Sequence, residues 1–173
     1  PSTVTADSSK LTADSTSGTK QDYTVKYTDK STGNQSATLQ KKTYGSTSSA
    51  ENQVDYVGTN TEGVTVKLNG STTAVVQGVM GHTYVHWNKG DWSVTAVASN
   101  ADETGTPTQF AKQVNKQITA SSLPKSADTG AITVYSGTEK DEANSVSWQN
   151  GKQLYTVSGK TAAGTVKLAQ NTD

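Results

Sequence analysis

The sequence reads as an α+β fold: an antiparallel sheet or sheets with two or three short helices packed on one face. Three observations point there. Leu, Ile, Val and Phe number only 26 of 173 residues, yet 17 of these are Val, and they alternate with polar residues in short runs closed by Gly and Asn turns. A 3.6-residue apolar period occurs in few windows, the clearest over residues 106–118. One hexapeptide, Val85-His86-Trp87-Asn88-Lys89-Gly90, returns as Val146-Ser147-Trp148-Gln149-Asn150-Gly151, which suggests two similar α-β-β-β halves over residues 43–100 and 106–160. An apolar fraction this low borders on disorder, but 15 lysines against 15 acids leave no net charge to hold the chain open. A folded domain with a modest core and a polar surface is expected.

In chain order, residues 1–22 hold only Val4 and Leu11 as large apolar side chains among Ser, Thr, Asp, Lys and Gly. That is too little burial to offset the entropy of ordering them, so they read as a flexible tether ahead of a single α+β domain over residues 23–173. Tyr23, Val25 and Tyr27 alternate with Thr24 and Lys26, and Ala37-Thr38-Leu39 returns after a turn-rich stretch, predicting a first hairpin. Ala50, Val54 and Val57 are spaced as on a short amphipathic helix over residues 46–57. Strands follow at residues 64–68, 73–79, 83–87 and 92–98, the last two joined around Gly90, where a tight turn needs positive φ. Thr106 is a plausible N-cap, Pro107 suits the first helical position, and Phe110, Val114 and Ile118 form an i, i+4, i+8 stripe with Ala111 beside it. Ile132, Val134, Val146, Trp148, Tyr155 and Val157 mark further strands, and residues 161–170 form a closing helix or strand.

Composition narrows function by exclusion. Every basic side chain is lysine, singly scattered, with no arginine, so the planar fork that grips phosphate is absent and no basic stripe is available to a nucleic-acid backbone. There is no cysteine, hence no disulfide framework, thiol nucleophile or thiolate metal site. No apolar run approaches the length of a membrane span.

His82 and His86 are the only histidines; four apart on a strand they share a face but sit about 13 Å apart, too far to ligate one ion. With 29 Thr and 20 Ser, the nearness of a hydroxyl to either histidine is uninformative, and no Gly-x-Ser-x-Gly elbow occurs. Asp91, Asp102, Glu103, Glu139, Asp141 and Glu142 fall in predicted turns, where solvated carboxylates are the rule. Gly78-Val79-Met80-Gly81 lacks the Lys and Ser or Thr of a phosphate loop. Alternation puts Val85 and Trp87 on a core face and His82, Tyr84 and His86 on the opposite one. Tyr84, His86, Trp92 and Tyr135 are therefore the candidate ligand surface, with no catalytic, cofactor or metal residue assigned.

Trp87-x-x-Gly90-x-Trp92, the helix with Phe110-Ala111 and Val114, Leu123-Pro124, Val146-x-Trp148-x-x-Gly151-x-x-x-Tyr155-x-Val157 and the terminal Leu168-Ala169 together resemble cell-surface lipoproteins of lactic acid bacteria and related Gram-positive bacteria, over roughly residues 40–170. The resemblance implies an α+β domain outside the cytoplasmic membrane and carries over no catalytic residues; the family's anchoring cysteine does not occur in this sequence. The expectation is a non-catalytic binding or structural module at the cell surface. Its membrane link would be a lipid anchor upstream of residue 1, with residues 1–22 as spacer, and its partner an extracellular peptide, glycan or apolar molecule. The alternative is a small secreted hydrolase using His82 or His86.

Overall fold

The computed structural model describes residues 1–6, 9–58, 63–99, 106–137 and 143–172. Eleven strands among them form one open sheet: β1 (Thr3–Ala6), β2 (Ser9–Gly18), β3 (Tyr23–Asp29), β4 (Gln35–Thr43), β5 (Val64–Lys67), β6 (Thr73–Val79), β7 (His82–Lys89), β8 (Trp92–Ser99), β9 (Thr129–Tyr135), β10 (Asn144–Asn150) and β11 (Gln153–Gly159). The spatial order is β1-β2-β3-β4-β11-β10-β9-β8-β7-β6-β5, so β1 and β5 are the edges. Three helices complete the fold: α1 (Thr47–Glu51), α2 (Pro107–Ala120) and α3 (Ala162–Gln170). All neighbours are antiparallel except β8 and β9, which run parallel through the α2 crossover.

Two-residue turns set the hairpin registers. Gly90 (φ 58°) and Gly151 (φ 59°) each occupy the first loop position with a residue of negative φ behind, the requirement of a II′ turn. Val85, Trp87 and Gly90 therefore occupy the same register positions as Val146, Trp148 and Gly151, and the sequence echo is a structural one at the hairpins. It ends there. β5 and β6 precede the first hairpin and only β9 the second, and the helices that open the two halves lie on opposite sides of the sheet. Ala111, Val114 and Ile118 of α2 join the main core, whereas Val54, just after α1, packs on Ala131 and Leu154. The expectation of helices on one face thus holds for α2 and α3 but not for α1.

The main core is built as ladders across strands. One runs Trp87, Val94, Ile132, Val146, Val157, Leu39, Val25, each directly opposite the next, and Val66 stands opposite Ala74 toward the β5 edge. Beside it lie Trp92, Gly130, Trp148, Tyr155, Lys41 and Tyr23. Trp148 stacks on Tyr155 at 5.2 Å between centroids and 9° between planes, and Trp92 lies tilted 6.2 Å from Trp148. A Cβ on Gly130 would come within 2.5 Å of the Trp92 ring, so only glycine admits the indole across β9. Lys41 Nζ sits 5.8 Å from both the Tyr23 and Tyr155 ring centroids. Burial raises the phenol pKa of Tyr155, and of Tyr23 with Tyr155 adding and Lys41 opposing.

All three helices are capped at their N-termini. Thr106 Oγ1 accepts from Gln109 N–H while Gln109 Oε1 accepts from Thr106 N–H, a full capping box ahead of Pro107. Thr161 caps α3, which settles residues 161–170 as a helix that buries Val166, Leu168 and Ala169. The helix expected over residues 46–57 contracts to Thr47–Glu51, capped by Ser46, and Val54 still reaches the core from the turn beyond it.

The flexible tether expected over residues 1–22 is instead largely sheet. Val4 and Leu11 sit opposite one another, both 4% exposed, and β2 pairs along β3. Leu11 also contacts the α3 side, lying 3.5 Å from where a Gly164 Cβ would stand. Tyr27 Oη donates to Pro1 O at 2.6 Å. Few apolar residues suffice because ladder hydrogen bonds satisfy the backbone, and one buried residue per strand fixes the register. A bulge between Ala13 and Ser15 shifts the inward phase, which is why no simple alternation is visible there.

Candidate functional site

The face opposite α2 and α3 is where most of the sequence-predicted surface residues fall. Tyr84 on β7 and Tyr135 on β9 stand in one row, separated by Val97 on β8. His86 lies two residues along from Tyr84 on the same face, in the row Val75, His86, Thr95, Thr133, Ser145, Ser158, Thr38, Lys26. Trp92 does not join them: it points to the other side, is only 7% exposed, and packs over Gly130. Its parity on β8 decides this, since Trp92 shares a face with Val94 and Ala96.

The row through His86 carries a continuous rank of hydroxyls, Thr95, Thr133, Ser145, Ser158 and Thr38, all partly exposed. At about 4.8 Å per strand the rank spans roughly 19 Å. The adjacent row adds Ser147, Thr156, Gln40 and Thr24. No carboxylate stands in either row, and the charge nearest the rank is Lys26 at its end. The rank depends on strands brought together from residues 38 to 158.

His86 is held in a polar chain. Its Nδ1 lies 3.1 Å from Thr95 Oγ1 and its Nε2 3.1 Å from Asn88 Oδ1. Asn88 Nδ2 in turn donates to Val57 O at 2.9 Å and to Tyr56 Oη at 3.4 Å. One neutral tautomer satisfies both ring contacts, Nε2–H donating to Asn88 and Nδ1 accepting from Thr95. Val57 N–H also donates to Ser93 Oγ at 3.2 Å, so the segment after α1 closes one end of the face. Asn88 and Tyr56 were not singled out from sequence, because a turn asparagine and a tyrosine 32 residues before it carry no joint signal. His82 Nδ1 lies 3.4 Å from Met80 O.

Among the described residues no group of three His, Asp or Glu is placed to hold a metal ion, and no helix is long and apolar enough to cross a membrane. Asp102, Glu103, Glu139, Asp141 and Glu142 lie outside the described residues. Comparison with known proteins finds no matching family model, and no significant match among curated proteins or solved structures.

Proposed function

We propose that this chain is a non-catalytic binding module working outside the cytoplasmic membrane, and that the open sheet face holds a neutral, hydroxyl-rich ligand of the glycan class. The observation that carries this reading is the rank Thr95, Thr133, Ser145, Ser158, Thr38 with Tyr84 and Tyr135 beside it. Hydroxyls both donate and accept, so such a rank complements sugar hydroxyls without the desolvation cost of charge, and tyrosine rings offer flat apolar surface to sugar rings. The hydrolase alternative needs His82 or His86 beside both a hydroxyl and a carboxylate. His86 has the hydroxyl of Thr95, but an amide, Asn88, where the carboxylate would stand, which weighs against it.

The test is titration of soluble cell-wall glycan fragments into the protein by calorimetry or nuclear magnetic resonance. Binding is expected to weaken roughly 5- to 150-fold in Tyr84→Ala/Tyr135→Ala, a loss on the order of 1–3 kcal/mol for two ring contacts. Equal binding by that variant, or amide shifts confined to the helical side, would remove this face as the ligand surface.

A further inference from the structure

On the helical side, β1, α2 and α3 border an open groove of about 580 Å³, inside the range of roughly 300–1,000 Å³ typical of small-molecule sites. Ala6, Phe110, Val114, Ala120 and Ala162 give it an apolar lining. Lys116 of α2 and Lys167 of α3 line it as well, and no carboxylate does among the described residues. The sign of this charge is not a general property of the protein, whose lysines and acids balance. It is local: α2 and α3 together carry Lys112, Lys116 and Lys167 and not one acid.

The groove is also preformed. Gln117 Nε2 donates to Ala163 O at 2.9 Å, and Gln170 Nε2 donates to Gln117 O and Ser121 O at 3.0 and 2.9 Å, tying the two helices together. Ordering costs on binding are correspondingly small.

We infer that this groove is a binding site for a single-chain aliphatic carboxylate, the chain lying on the apolar lining and the carboxylate held between Lys116 and Lys167. Apolar lining favours an aliphatic body, and two lysines on separate helices with no acid among the described lining residues favour one anionic end. Lysine ammonium groups, without an arginine fork, suit a carboxylate held by point charges. The site lies across the sheet from the hydroxyl rank and is independent of the glycan reading.

The experiment is titration of the intact chain with octanoate, decanoate and dodecanoate below their micelle concentrations, followed by calorimetry and by amide chemical shifts. Affinity is expected to rise roughly fourfold per added methylene, the ratio implied by burying one CH₂. Decanol should bind several-fold more weakly than decanoate, and Lys116→Ala/Lys167→Ala should abolish that preference while keeping the chain-length dependence. Ala120→Trp, a substitution at an exposed helix position that fills the groove, should remove binding without changing the thermal midpoint. The inference is overturned if the lysine double variant retains the carboxylate preference, if Ala120→Trp binds like the parent, or if only anionic phosphatidylglycerol vesicles bind. The last result would make the helical side a membrane-docking surface instead.

Discussion

The two faces of this sheet are built on the same strands and differ in every other respect. Toward α2 and α3, β10 presents Val146 and Trp148; toward the open side it presents Ser145 and Ser147. The same parity divides β8 into Val94 and Ala96 against Thr95, and β11 into Tyr155 and Val157 against Thr156 and Ser158. Apolar burial is concentrated on one side, while the other keeps hydroxyls in partial contact with water. Stability should therefore respond strongly to substitutions on the first face and barely to those in the hydroxyl rank of the second, whose buried apolar residues are Val97 and the small cluster of Val54, Ala131 and Leu154.

That contrast can be broken by measurement. Trp148→Ala should be the costliest change, about 3–5 kcal/mol in urea denaturation, since it removes a 1% exposed indole together with its contacts to Tyr155 and Trp92. Leu11→Ala is expected to cost about 2–5 kcal/mol. A loss under about 0.5 kcal/mol, the range of ordinary surface changes, would return the N-terminal segment to the status of a tether. Gly130→Ala should cost about 1–3 kcal/mol through overpacking against Trp92, and combining it with Trp92→Leu should cost less than the two singly.

Asp29 probes the rim of the sheet and not either face. Hydrogen bonds from Ser31 N–H at 2.9 Å and Ser31 Oγ–H at 2.8 Å hold its carboxyl below the ordinary 3.8. The folded chain therefore stays deprotonated there to lower pH than the unfolded chain. The resulting stabilisation is complete above the unfolded value and is lost as pH falls through the folded one. Asp29→Asn should make the stability curve shallower between about pH 5 and pH 2. At the small end, Thr133→Ala and Ser145→Ala on the open face should each change stability by no more than about 0.5 kcal/mol. A loss near that of Gly130→Ala would mean the hydroxyl rank is structural.

What could be read locally was read correctly because its causes are local. Gly90 needs positive φ within its own turn, Thr106 caps a helix that begins one residue on, and the alternation of Val85 with His86 separates core from surface within a few residues. Tyr84, His86 and Tyr135 came out on one face for the same reason, whereas Trp92 followed its parity into the core. The segment around Asp14 defeated this reading because a bulge resets the phase midway along β2.

Taken alone, then, the sequence determined the two tryptophan hairpins, the Thr106 cap and the side of the sheet that the residues of β7 and β10 take, since each follows from chain geometry over a few residues. Only the tertiary structure decided which strands are neighbours: β4 beside β11, β8 parallel to β9, β1 and β2 added at an edge, and α1 on the side opposite α2. Backbone hydrogen bonds join any two strands with little regard to side-chain identity. Their partners are chosen by which apolar ladders close against the helices, and that choice involves residues more than a hundred positions apart. The hydroxyl rank and the groove between β1, α2 and α3 are both products of it.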